Sequence, residues 1–80
     1  MNKILFVEEL SRETKTSILE ELFGREEGFR EVRHIVEKRV AFVEFESEEQ
    51  ATVGLSKLNG QKVHEVSGGV TELKVSYAKK

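Results

Sequence analysis

Four stretches of the chain have the pattern of strands, in which residues at alternate positions belong to opposite faces. In the first stretch, residues 3–8, Leu5 and Val7 belong to one face while Ile4 and Phe6 belong to the other. The remaining stretches are residues 31–36, 40–45 and 73–78. Because only a few polar residues separate the second stretch from the third, these two are predicted to form a hairpin.

A helix is predicted between the first and second strands, over residues 15–23, from hydrophobic residues that recur at helical spacing. Thr14 stands where its side chain would cap the first turn, and two glycines, Gly24 and Gly28, bracket the exit. The apolar face of this helix consists of Ile18, Leu19, Leu22 and Phe23.

A second helix is predicted after the third strand. Ser47 and Gln50 have the spacing of a capping box, and the helix ends at residues 59–60, an Asn-Gly pair. Its buried face consists of Ala51, Gly54, Leu55 and Leu58. Glycine costs about 1 kcal/mol relative to alanine inside a helix, so Gly54 is expected where the helix lies close to the sheet.

The resulting order, βαββαβ, predicts an α+β fold of the ferredoxin-like type: a four-stranded antiparallel sheet with both helices on one face. The other face is then open to solvent. Phe6 and Phe42 are predicted to be exposed aromatics on its two central strands, and such residues are informative because the core does not require them. The full predicted open face is Ile4, Phe6, Glu8, Lys38, Val40, Phe42, Glu44, Lys74, Ser76 and Ala78.

Composition restricts the classes of function. The 80 residues, 1–80, suffice for one domain and contain no cysteine, so disulfides and thiolate chemistry are excluded. The longest uncharged apolar runs, residues 4–7 and 40–43, are far shorter than the roughly 20 residues of a membrane helix, and no membrane association is expected. The formal net charge is −2, so any nucleic-acid binding must depend on a local surface.

Neither catalysis nor metal binding is indicated by the polar residues. All fifteen acidic residues are Glu, and the two histidines, His34 and His64, lie far apart in the sequence without a metal-binding pairing. No nucleophile elbow or phosphate-binding glycine loop is present. We therefore expect no enzyme activity, no cofactor and no metal, and we interpret His34 as a residue of the core or its rim.

Two segments resemble the signatures of the RNA recognition motif family. Residues 5–10, LFVEEL, match its six-residue signature, and residues 38–45, KRVAFVEF, match its eight-residue signature at six of eight positions. Residues 58–60, LNG, match a third marker after the second helix. The resemblance implies the βαββαβ fold and the binding of single-stranded RNA on the open sheet.

A narrower resemblance covers nearly the whole chain. Residues 4–7, 22–23, 28–33, 41–45, 50–51 and 75–80 are similar to the C-terminal recognition motif of the spliceosomal small nuclear ribonucleoprotein A and B-double-prime family. Residues 61–70 depart most from that pattern. The resemblance implies a C-terminal domain of a longer nuclear protein that acts in mRNA splicing within a ribonucleoprotein. We expect the domain itself to be a monomer.

The resemblance also implies an RNA-binding site with reduced affinity for RNA. Phe6 and Phe42 occupy two of the usual stacking positions, whereas the third is Val40, which lacks a π face. Three departures bear on affinity: Arg39 replaces a glycine, Glu9 replaces an asparagine, and Glu8 and Glu44 add negative charge. The implied RNA-binding residues are Phe6, Phe42, Val40, Lys38, Arg39, Lys74 and Lys79, with Lys80 at the same basic rim.

A second hypothesis, from another class, is a protein–protein interaction module with little affinity for RNA. The aromatic pair could be covered by a partner protein, and the acidic cluster Glu20, Glu21, Glu26 and Glu27 could attract a basic peptide. Peptide-binding variants of the family also have an Arg-x-Phe loop before the last strand. Residues 61–72 contain neither Arg nor Phe, which argues against a peptide binder of that type.

Overall fold

The computed structural model describes residues 2–79 and has the predicted α+β architecture. The elements are β1 (Ile4–Glu8), α1 (Thr16–Gly24), β2 (Phe29–Ile35), a 3-10 turn (Val36–Lys38), β3 (Val40–Phe45), α2 (Glu48–Leu58), β4 (Lys62–His64), β5 (Val70–Glu72) and β6 (Lys74–Tyr77). Four strands form an antiparallel sheet in the order β2-β3-β1-β6. The ferredoxin-like βαββαβ prediction is therefore confirmed.

The core lies between the sheet and the two helices, as the alternation of the strands predicts. From the sheet, Leu5, Val7, Ala41, Val43 and Phe45 are fully buried. From the helices, Leu19 and Phe23 of α1 and Ala51 and Leu58 of α2 close the other side. The helices therefore cover one face of the sheet.

The start of α1 differs from the prediction, because Thr14 does not cap it. The helix begins at Thr16, Lys15 is its N-cap residue, and no side chain caps the first turn. The Thr14 hydroxyl instead accepts a hydrogen bond from the Ser11 amide (3.2 Å) and donates one to a Glu65 carboxylate oxygen (3.4 Å). Thr14 is thus tied to a distant loop, which local sequence does not reveal.

The start of α2 is as predicted. Ser47 is the N-cap residue, and its hydroxyl oxygen accepts a hydrogen bond from the Gln50 amide at 3.2 Å. Gly54 lies on the buried face, where an added Cβ would stand 2.8 Å from Cζ of Phe45. Its close approach to the sheet is confirmed.

Two boundaries near the middle of the chain were predicted incorrectly. The second strand is Phe29–Ile35 rather than residues 31–36, with an irregular register between Phe29 and Glu31. Residues 36–38 form the 3-10 turn that leads into β3. Lys38 consequently lies in this turn and not on the strand, contrary to the predicted open face.

A small hairpin between α2 and the last strand was not predicted. Strands β4 and β5 pair antiparallel, with Lys62 opposite Glu72 and His64 opposite Val70. Only Val63 of this hairpin is buried against the core. The strands are three residues each, too short to show a reliable alternation in the sequence.

Candidate nucleic-acid interface

Phe6 and Phe42 lie side by side at the centre of the open face. They are register partners on the central strands β1 and β3, and their ring centroids are 5.3 Å apart with an angle of 42° between the planes. Both side chains are half-buried rather than fully exposed, as expected for neighbouring rings that shield each other. The pair forms a platform on which planar bases or apolar side chains can pack.

Strand register places a row of four side chains across the sheet at the level of this pair. Arg33 of β2 is opposite Phe42, Phe42 is opposite Phe6, and Phe6 is opposite Ser76 of β6. On the same face, at the next pair of positions along β2 and β3, two acidic residues face each other, because Glu31 is opposite Glu44. In the other direction, Glu8 is opposite Lys74.

Two shallow grooves flank Phe42 on this face. The first groove has a volume of about 450 Å³ and is lined by Asn2, Ile4, Glu31, Arg33, Phe42, Glu44, Ala78 and Lys79. The second groove has a volume of about 400 Å³ and is lined by Phe6, Glu8, Phe42, Ser76, Tyr77 and Lys79. Both grooves combine aromatic or aliphatic surface with charged groups. Lys79 borders both and is exposed, so it can reach an anion that lies over the aromatic pair.

Lys74 lies at the sheet edge and is engaged by an acidic neighbour. Its ammonium nitrogen is 2.8 Å from a carboxylate oxygen of Glu9, and both side chains are exposed. This hydrogen bond, together with the negative charges of Glu9, Glu8 and Glu72, raises the pKa of Lys74 above its usual value. Lys74 is therefore cationic at neutral pH, but a phosphate must compete with Glu9 for it.

Arg39 and Lys38 lie outside the strands, at the entrance to β3. Arg39 has a left-handed backbone (φ 57°), and its carbonyl oxygen accepts a hydrogen bond from the Leu10 amide at 3.0 Å. A glycine adopts this conformation without strain, whereas an arginine does so at a cost. The side chains of Lys38 and Arg39 are both exposed.

Val40 lies on the open face at the start of β3, opposite Ile35 of β2. Both side chains are half-buried. They extend the apolar surface of the sheet beyond the aromatic pair, but neither offers a π face. Val40 can therefore contact a ligand without stacking on it.

Three residues of the first groove were missed by the sequence reasoning: Asn2, Glu31 and Arg33. Their positions depend on the register of β2 and on the packing of the N-terminal segment, where the Asn2 amide donates to the Ala78 carbonyl at 2.9 Å. A signal for Arg33 was present, since it alternates with Val32 and His34, which share the core face. Because Arg33 lies between these two residues, strict alternation places it on the open face.

Residues 2–79 contain no group of three or more histidine, cysteine or acidic side chains that could hold a metal ion. In the same range, no helix is long and apolar enough to cross a membrane. His34 lies on the helix side of β2, opposite Ala41, with its Nδ1 atom 2.9 Å from the Thr16 hydroxyl, which agrees with a residue at the rim of the core.

Comparison with known proteins places these features in context. Residues 5–66 match the sequence profile of the RNA recognition motif. The chain is 41% identical over 80 residues to U2 small nuclear ribonucleoprotein B'' of Oryza sativa subsp. indica, covering 99% of this chain and 33% of that protein. It is 35% identical over 80 residues to U1 small nuclear ribonucleoprotein usp102 of Schizosaccharomyces pombe, covering 99% of this chain and 30% of that protein.

A solved structure shows the same fold. The Sex-lethal RNA recognition domains 1 and 2 of Drosophila melanogaster superpose with a TM-score of 0.79 at 28% identity, covering 99% of this chain and 51% of that chain. The chain spans about a third of the length of the curated relatives that it matches.

Proposed function

Because the chain belongs to the RNA recognition motif family, we propose that it is the RNA-binding domain of a spliceosomal small nuclear ribonucleoprotein component. It binds single-stranded RNA through the open sheet face, and it does so weakly. The observation that carries the proposal is the Phe6–Phe42 pair, whose rings lie 5.3 Å apart on the face that the helices leave uncovered.

The chemistry of this face suits single-stranded RNA. Each base that stacks on an aromatic side chain contributes roughly 1–3 kcal/mol, largely independent of sequence. The two grooves that Phe42 helps to line give room for bases beside its ring, and Lys79 borders both grooves where a phosphate would pass. Phe6, Phe42 and Val40 form the floor of the proposed site. Lys74, Lys79, Lys38 and Arg39 provide its basic rim; Lys80 lies outside the described residues.

Weak binding follows from three features of the same surface. Val40 provides apolar contact in place of a third stacking ring. Lys74 is held by Glu9, so its charge is partly matched before any phosphate arrives. Glu8, Glu31 and Glu44 lie on the face itself and repel the RNA backbone. We expect a dissociation constant no tighter than about 10 μM for short single-stranded RNA, about 7 kcal/mol of binding free energy.

An NMR titration of the labelled domain with short single-stranded RNA tests this proposal. The largest shifts are expected at Phe6, Phe42 and Lys79. Val40→Tyr should tighten binding at least about fivefold, because it adds a stacking position worth roughly 1–3 kcal/mol. Val40→Leu, which enlarges the side chain without adding a π face, is the matched control and should leave the affinity nearly unchanged.

Two results would contradict the proposal. Shifts confined to α1 and α2 would place the ligand on the wrong face. A Val40→Tyr variant that folds but gains no affinity would show that RNA does not stack on this sheet. That result would favour the second hypothesis, a protein–protein interaction module, in which a partner packs on the half-buried Phe6 and Phe42.

The wider context is proposed on the same basis. The chain corresponds to one recognition motif of a longer, nuclear protein, and the relatives support this because their named members are small nuclear ribonucleoproteins about three times its length. We place it at the C-terminal end of that protein and expect it to be monomeric. Light scattering of the purified domain measures the mass directly, and a value near 9.2 kDa is expected.

A further inference from the structure

The first groove is lined by Phe42 and by charged residues of β2 and β3, and we name it the Glu44 groove after the carboxylate that β3 contributes to it. Glu44 faces Glu31 across the β2–β3 pair, and Arg33 lies opposite Phe42, one strand step from them. Glu31 is 3.7 Å from the Arg33 guanidinium, whereas within residues 2–79 Glu44 takes part in no ion pair. Glu44 therefore presents a hydrogen-bond acceptor that no ion pair among the described residues occupies, in a groove that Arg33 and Lys79 also line.

The four bases differ in what they offer to such a carboxylate. An ionised carboxylate only accepts hydrogen bonds and can accept two in parallel. Guanine presents two adjacent donors, N1–H and the N2 amino group. Cytosine and adenine present a single amino group there. Uracil presents one N–H group between two carbonyl oxygens, which the carboxylate repels.

Arg33 extends the match for guanine. The O6 and N7 atoms of guanine are acceptors that a guanidinium can engage with two hydrogen bonds. These atoms adjoin N1 on the rim of the base, so a carboxylate and a guanidinium on neighbouring positions can serve both edges together. Phe42 supplies the ring on which the base stacks.

We propose that Glu44 and Arg33 make the Glu44 groove selective for guanine over uracil. This inference rests on the proposed function, since it specifies which bases the RNA-binding face accepts. Charged hydrogen bonds of this kind discriminate between bases by about 1–3 kcal/mol, so we expect at least a fivefold preference for guanine. The order of affinity is guanine first, cytosine and adenine next, and uracil last.

The second groove provides an internal comparison. Its carboxylate, Glu8, is the register partner of Lys74, and the negative charge of Glu8 acts on that ammonium. Among the described residues Glu8 also takes part in no ion pair, but its cross-strand neighbour is a lysine, and the described residues that line the second groove include no arginine. We expect it to influence overall affinity without choosing between bases.

The test uses four five-nucleotide RNAs, each a uridine tract with G, C, A or U at the centre, titrated into the labelled domain. The wild-type domain should bind the G oligonucleotide at least about fivefold more tightly than the all-U oligonucleotide. Glu44→Gln should abolish or reverse this ratio, because the amide offers one acceptor and one donor, which matches uracil. Arg33→Gln should reduce the preference for guanine.

Glu8→Gln is the matched control, since it removes the same charge from the same face. It should change all four affinities by a similar factor and keep the ratio. Equal affinities of the wild-type domain for G and U, with shifts at Phe42, would overturn the selectivity while leaving RNA binding on the sheet intact. A ratio unaffected by Glu44→Gln would also overturn it. No shift at Phe42 with any of the four RNAs would refute the proposed function itself, and the selectivity with it.

Discussion

Gly54→Ala is expected to destabilise the domain even though alanine is the better helix former. The substitution adds one methyl group at the point where α2 lies on the sheet. Its Cβ would stand 2.8 Å from Cζ of Phe45, well inside ordinary contact distance. Phe45 is fully buried and packs edge-to-face on Phe29, with centroids 6.3 Å apart, so its ring has little room to withdraw.

Two opposing free energies set the size of this effect. Replacing glycine by alanine inside a helix gains about 0.8–1.0 kcal/mol from backbone propensity. Overpacking a dense core costs about 1–3 kcal/mol. The free energy of unfolding should therefore fall by about 1 kcal/mol, and Gly54→Leu, which adds three further carbons at the same point, should lower it more. Urea unfolding followed by circular dichroism measures both changes.

Gly24→Ala is the matched control for this prediction. Gly24 ends α1, and an added Cβ there would meet ring atoms of Phe29 at 4.0 Å, which is ordinary contact. The same methyl group should therefore be neutral or stabilising by up to about 1 kcal/mol. If Gly54→Ala is as stable as the wild-type domain while Gly24→Ala behaves as expected, the close packing of α2 on Phe45 is refuted.

Three further predictions concern single positions. Arg39→Gly should be more stable than Arg39→Ala by about 1 kcal/mol, because only glycine relieves the strain of the left-handed backbone at φ 57°. Thermal melts in which Arg39→Ala is as stable as Arg39→Gly, or more stable, would refute the strain. Ser47→Ala should lower the free energy of unfolding by about 1 kcal/mol through loss of the cap on α2, and a urea midpoint unchanged from wild type would contradict this. Glu9→Gln should release Lys74, so that RNA binding tightens about two- to fivefold and the log–log dependence of RNA affinity on salt becomes steeper by about 0.7. Glu13→Gln, at an exposed position beyond the sheet, should change neither the affinity nor the salt dependence.

Local periodicity accounts for the parts of the fold that the sequence predicted well. Leu5 and Val7 alternate with Ile4 and Phe6, and a period of two assigns residues to opposite faces whatever their neighbours are. The buried face of α2 and its cap at Ser47 depend on residues within a few positions of one another. These short-range rules were enough for the order of elements along the chain, for the covered face of the sheet and for the assignment of Phe6 and Phe42 to the open face.

Short-range rules fail where a residue's partner is distant in the sequence. Thr14 was predicted to cap α1, but it bonds Glu65, which lies 51 residues away. The hairpin of β4 and β5 was missed because strands of three residues carry little periodic signal. Lys38 was placed on the open face because the turn before β3 was read as part of the strand.

By itself, then, the sequence determined which side chains share a face of the sheet, since that depends only on alternation along each strand. Only the tertiary structure decided which of them are neighbours, since that depends on how the strands are shifted against one another. Register sets Arg33 beside Phe42 and Glu31 beside Glu44. Packing at the sheet edge sets Glu9 against Lys74, 65 residues apart and 2.8 Å from atom to atom. Local alternation therefore places charges on this face, but the contacts that pair them are encoded by no local pattern.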